Sequence, residues 1–158
     1  MSHTSDHDLA LYTALQQIYV LLDDGDRRAF DALELTPTQY NLLLRLGKDP
    51  ATGPTISELS RALLCTRGNI TRLVQRLAAR GLVQCSGDPA DQRLVRVALT
   101  PAGERLRATA QRLHRDSLRR RFGQLDPAEQ ATLRRLSERL ARLLEADLHP
   151  AEDDESLL

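Results

Sequence analysis

The 22 residues from Ile56 to Leu77, ISELSRALLCTRGNITRLVQRL, constrain this chain more than any other stretch. Leu59, Ala62 and Leu63 stripe one short helix. Ile70, Leu73, Val74 and Leu77 stripe a second at i, i+3, i+4 and i+7. Thr55 and Glu58 form a capping box before the first, which is expected to end near Leu64. Thr66 is an N-cap for the second, and Gly81 is its natural stop. Two short helices this close must meet at a tight turn and bury their stripes against each other, which predicts a helix-turn-helix.

The second helix then turns a polar, cationic face outward. Thr66, Arg67, Gly68, Asn69, Thr71, Arg72, Gln75 and Arg76 line it, with Ala79 beyond. Small residues at the start let a backbone come close to DNA, and amide and guanidinium groups reach base edges or phosphates in a major groove. The plainer alternative is a solvated basic face on an ordinary amphipathic helix.

The hairpin that follows weakens that alternative. Leu82–Cys85 predicts a first strand; Val95, Val97 and Leu99 alternate with Leu94, Arg96 and Ala98 in a half-buried second one. The turn between them carries Asp88, Asp91 and Arg93, with Asp88-Pro89 fixing it. A ribbon beside a recognition helix is a wing. Arg93 is suited to a minor groove, where negative potential is concentrated, and Asp91 is placed to hold its guanidinium. A surface hairpin with a local ion pair is the plainer account, worth little energetically.

Longer helices flank this unit. One is expected from about Asp8 to Leu22, seamed by Leu11, Leu15, Ile18 and Leu22, then interrupted or kinked at Asp23-Asp24-Gly25-Asp26 before a continuation to Leu33. Thr36-Pro37-Thr38-Gln39 starts another, bearing Tyr40, Leu43, Leu44 and Gly47. Further helices are expected from Thr100-Pro101 to Phe122 and from Asp126-Pro127 onward, the last seamed by Leu133, Leu136, Leu140 and Leu143, with an acidic tail at Glu152–Glu155. The fold class is mainly α with a small β-wing. Residues 35–99 form the winged helix-turn-helix, residues 1–34 and 123–158 a helical dimerisation region, and 100–122 a long linking helix. So small a centre has little core to offer the outer seams, which favours a second copy of the chain as their cover. The alternative is a monomer whose end helices pack together.

Charge supports a nucleic-acid partner. The net charge is zero, yet residues 56–122 carry fourteen basic against five acidic side chains. Residues 1–55 carry four against eight, and residues 123–158 four against nine. A polyanion feels the local field, not the total. No apolar run reaches the roughly 18 residues a membrane span requires, and the first residues lack the form of a secretory signal. Two cysteines suit a reducing cytoplasm. Few aromatics and no tryptophan disfavour a single-strand binder.

In order along the chain, Leu35–Gln39, Ile56–Leu59, Thr71–Val74 with Leu77, Arg80–Val83, Asp88-Pro89-x-Asp91-x-Arg93 and Leu99-Thr100-Pro101-x-Gly103 resemble the MarR family of winged-helix regulators. The resemblance spans residues 10–146, and its last two motifs are the most specific. It implies a homodimeric repressor, joined through the first, fifth and sixth helices, that binds pseudo-palindromic double-stranded DNA and in many members lets go on meeting a small-molecule effector or an oxidant. The sequence departs from the pattern at Leu64-Cys65, where a glycine is usual, and at Gln84 and Gln92, where arginines are common. Every phosphate left unpaired flattens the salt dependence of binding.

Cys65, just before the recognition helix beside Arg67, and Cys85, on the first wing strand, are the candidate redox groups. Weighed against that, both read more simply as small buried hydrophobes. Tyr12, Tyr19, Arg45 and His114 are candidates for the ligand pocket that the resemblance implies between the outer helices and the DNA-binding unit. His3 and His7 with Asp6 and Asp8 have metal-like spacing but no companion cluster, so neither a metal nor a cofactor is expected. Without a Ser/His/Asp constellation or a glycine-rich phosphate loop, the chain does not read as an enzyme. The runner-up function is a winged-helix module that binds protein, which would have no use for a basic centre.

Overall fold

The computed structural model describes residues 6–88, 90–91 and 93–148. The chain is mainly helical, with one two-stranded antiparallel sheet. In order it forms α1 (Asp6–Phe30), a single 3-10 turn (Asp31–Leu33), α2 (Pro37–Leu44), α3 (Ile56–Ala62), α4 (Arg67–Ala79), β1 (Val83–Gly87), β2 (Val95–Leu99), α5 (Pro101–Phe122) and α6 (Pro127–Leu148). Residues up to Ser117 make one compact unit and those from Leu118 a second, the boundary falling inside α5.

The expected break in α1 does not occur. Asp23 pairs with Arg27 and Asp24 with Arg28, each at 2.8 Å and four residues apart. Acid-before-base pairs at this spacing support a helix, and they carry it through Gly25 to Phe30. Glu34, in the left-handed region at φ 51°, then turns the chain toward α2.

The helix starts follow the capping chemistry. Thr36 and Gln39 exchange bonds of 2.9 and 3.2 Å, and Thr55 and Glu58 bonds of 2.7 and 3.2 Å. Asp126 and Glu129 close a third such box at the start of α6. Gly81, at φ 68°, ends α4: its N–H donates to the Ala78 carbonyl and that of Leu82 to Leu77, the full Schellman pattern. α2 and α3 stop earlier than the apolar pattern suggests, at Leu44 and Ala62. Leu64 occupies the left-handed turn position at φ 50°, where a glycine would sit without strain, and is 86% exposed.

The core lies in the first unit, around Phe30, Leu42, Leu43, Leu59, Ile70, Leu77, Val97 and Leu99. β1 pairs with β2 from Val83↔Leu99 to Gly87↔Val95. The other edge of β2 is closed by the loop before α3: Val97 N–H donates to the Pro54 carbonyl, Leu99 N–H to Gly47, and Thr55 bridges Arg96. The strand is therefore not the half-buried alternation its sequence suggests. Val97, Ala98 and Leu99 are all buried where it runs into the core, and Val95 at its outer end is exposed. α5 starts so close to β1 that a Cβ on Gly103 would lie 1.9 Å from the Leu82 carbonyl oxygen, which accounts for a glycine there.

The outer helices differ from this centre. α1 exposes Leu11, Tyr12, Leu15, Ile18 and Tyr19, and burial begins only at Phe30. None of α6 is buried; Leu133, Leu136 and Leu143 are open and Leu140 half-covered. His3, Pro89, Gln92 and the acidic tail Glu152–Glu155 lie outside the described residues.

Candidate nucleic-acid interface

α4 presents its polar face as its sequence suggests. Thr66, Arg67, Gly68, Asn69, Thr71, Arg72, Gln75 and Arg76 are all exposed, while Ile70, Val74 and Leu77 are buried beneath them. The Thr66 hydroxyl accepts from Asn69 N–H at 3.3 Å, and the Thr71 hydroxyl donates to the Arg67 carbonyl at 2.9 Å. Arg80 is spent otherwise: its guanidinium donates to the carbonyls of Glu34 and Leu33 at 2.7 and 3.2 Å, tying the end of α4 to the corner before α2.

Two clefts divide the exposed face. One, of about 370 Å³, gathers Arg67, Thr71 and Gln75 from α4 with Ser57 at the start of α3 and with Cys85, Arg93 and Val95 of the wing. The other, of about 390 Å³, gathers Asn69, Arg72 and Arg76 with Cys65 and with Thr36 and Thr38 at the start of α2. α4 is thus a ridge between two cationic furrows. Ser57, Thr36 and Thr38 escape a reading based on α4 alone, since each belongs to the first turn or cap of another helix.

The wing turn is built on Asp88. Its carboxylate is buried, one oxygen accepting the N–H groups of Ala90 and Asp91 at 2.7 and 3.0 Å, the other paired with the Arg96 guanidinium. The backbone bonds to Ala90 and Asp91, more than the arginine, hold this carboxyl below its usual range. Asp88 fixes the turn as an internal anchor, because two backbone donors and a guanidinium converge on it. Asp91 differs from expectation. Its carboxylate accepts the backbone N–H of Arg93 at 3.0 Å, fixing the loop and not the guanidinium. Arg93 stands exposed at the edge of the first cleft.

Arg96 is the residue that the sequence pattern hides. It stands at a strand position expected simply to point away from the core, yet it also donates to the Gly53 carbonyl at 2.8 Å. Its partner Asp88 lies eight residues earlier, across the hairpin, a spacing readable only once the register is known.

Of the remaining candidates, Cys85 and Cys65 each line one of the two clefts, and the others line neither. Cys65 is half-buried, its sulfur 3.3 Å from the Leu63 carbonyl. Cys85 is exposed, not a buried hydrophobe, yet packing around its sulfur pushes the thiol above its usual value. Tyr12 and Tyr19 are exposed on α1, and Tyr12 accepts a bond from Gln16. Arg45 caps α2 beside a separate cleft with Asn41, Leu44 and Leu64. His114 packs against Phe30 and Tyr40, ring centroids 5.4 and 5.2 Å away, and meets Asp26 at 3.3 Å. Burial raises the Tyr40 phenol and keeps it neutral.

The model of the MarR family matches residues 33–94. The multiple antibiotic resistance protein MarR of Salmonella typhimurium is 30% identical over 106 residues, 65% of this chain and 72% of that one. A mutant MarR from Escherichia coli, complexed with operator DNA, superimposes with a TM-score of 0.76 at 25% identity, over 88% of this chain and 99% of that one. Bordetella bronchiseptica BpsR, whose DNA binding is regulated by 6-hydroxynicotinic acid, superimposes at 0.73 with 25% identity, over 84% and 98%.

Proposed function

This chain belongs to the MarR family of transcriptional regulators, and from that premise we propose that it is a homodimeric repressor whose grip on a pseudo-palindromic operator is released by a small-molecule effector. One observation carries the DNA reading: the exposed polar face of α4 and Arg93 of the wing line the same cleft. Arg67, Thr71 and Gln75 would meet base edges and phosphates on one flank, and Asn69, Arg72 and Arg76 on the other. Arg93 would enter the adjacent minor groove. The operator complex of the E. coli relative supports this docking.

The open leucine seams of α1 and α6 support the dimer, because contiguous apolar stripes on a small protein mark a surface made to be covered. In this assignment residues 1–34 and 123–158 join the two copies, and 35–99 read DNA. A small ligand is favoured over an oxidant as effector. The raised Cys85 thiol yields little thiolate at neutral pH, Cys65 is half-covered, and the DNA binding of BpsR answers to an organic acid.

Selection of bound sequences from a random duplex pool tests the reading. The expected product is an inverted repeat with half-sites about 10 bp apart, one turn of the double helix. Weak, salt-sensitive binding to every duplex, with nothing enriched, would overturn it. Arg93→Ala should weaken binding to the selected site about 10- to 100-fold with the melting temperature unchanged.

A further inference from the structure

We propose that Arg96 is the positioning residue of the wing: without touching DNA, it sets where Arg93 points by clamping the wing turn to the loop that enters α3. The proposal rests on the DNA-binding role given above for Arg93.

The connection runs bond by bond. From β2, the Arg96 guanidinium reaches the buried Asp88 carboxylate on one side and the Gly53 carbonyl, 2.8 Å away, on the other. Asp88 in turn accepts Asp91 N–H at 3.0 Å, and the Asp91 carboxylate accepts Arg93 N–H at 3.0 Å. Two backbone bonds of 2.9 Å, Asp88 N–H to Leu94 and Leu94 N–H to Asp91, close the loop on itself. Next to Gly53, Pro54 accepts Val97 N–H and Thr55 bridges Arg96. Thr55 is the N-cap of α3, boxed with Glu58. The backbone at Arg93 is therefore referred, through one guanidinium, to the frame that carries the recognition helix.

Arginine suits this task and lysine does not. A planar fork serves two acceptors in different directions at once, whereas an ammonium on a flexible stem holds one geometry poorly. The Arg96 side chain is only a quarter exposed and each of its three nitrogens is already engaged, so it has little to offer a phosphate. Arg93, three residues earlier, is the reverse.

The test compares Arg93→Ala, Arg96→Ala, Arg96→Lys, Asp88→Asn and the double variant Arg93→Ala/Arg96→Ala in the full-length protein. Binding is titrated against salt on the selected operator, or on a mixed-sequence duplex if selection enriches none. Hydrogen exchange of the Asp91, Arg93 and Leu94 amides is followed alongside. Expected are reductions in affinity for Arg96→Ala and Asp88→Asn close to that of Arg93→Ala, and for Arg96→Lys nearly as large, with faster wing exchange. The double variant should be no weaker than Arg93→Ala. Each should flatten the salt slope by about 1.8, as one cationic contact is lost from each of the two protomers. Additive effects in the double variant would overturn the proposal alone, because Arg96 would then meet DNA itself. A lowered melting temperature with the salt slope unchanged would reduce Arg96 to a structural residue and overturn it too. Arg93→Ala without effect would remove the wing from DNA binding, and the proposal would fall with that role.

Discussion

The central unit and the outer helices treat their leucines in opposite ways. In the centre, Leu42, Leu43, Leu59, Leu77 and Leu99 are closed off, and α2, α3 and α4 start at threonine caps. In α6 no residue is buried, and α1 stays open until Phe30. Hydrophobic periodicity alone does not separate the two cases, since seams of the same spacing occur in both. The difference lies in what covers them: the central leucines are closed off by neighbouring elements of their own unit, while the seams of α1 and α6 stand open. On the proposed reading, a second copy of the chain supplies that cover.

Breaking the ends should leave the centre intact. Leu136→Asp on α6 or Leu15→Asp on α1 is expected to give a monomer by sedimentation. Operator affinity should fall roughly 100- to 10,000-fold, because the second half-site is no longer delivered at high effective concentration. Breaking the centre should do the converse. Leu77→Ala, at a fully buried site, should cost about 2–5 kcal/mol in denaturant unfolding, and DNA binding should fail with the fold. A smaller change improves the centre. Leu64→Gly should stabilise it by about 1 kcal/mol, by relieving a left-handed leucine that is 86% exposed.

The smallest effect is with pH. Asp88 is held below its usual range by Ala90 and Asp91, and Glu58 by the Thr55 backbone N–H. Each depressed carboxyl adds stability that is complete above the unfolded-chain value and lost as pH falls through the folded one. Melting temperature should therefore decline on acidification through and below the ordinary carboxylate range, and Asp88→Asn should make that decline shallower.

Much of this was legible in the chain. Caps at Thr36, Thr55 and Thr66, the stop at Gly81 and the stripe on α4 are local chemistry, and local chemistry survives folding. The supposed break in α1 misled because an Asp-Gly cluster looks like a turn until Arg27 and Arg28 are counted as partners. The pairing of Asp88 with Arg96 and the anchoring of Arg96 were hidden for another reason. They depend on strand register and on Gly53, whose distance of 43 residues from Arg96 no local pattern spans. Cys85 escaped similarly, since a strand position does not reveal which side is covered.

The bond from the Thr71 hydroxyl to the Arg67 carbonyl has a consequence of its own. A hydroxyl has one proton, and here the helix has taken it. While that bond holds, Thr71 offers the outside a lone pair and a methyl group, never a donor. Guanine shows the major groove acceptors alone and gains nothing from such a residue, whereas the amino groups of cytosine or adenine and the thymine methyl all find a match. On the proposed reading, a single internal bond thus biases this position toward base-pair edges that offer a donor or a methyl group.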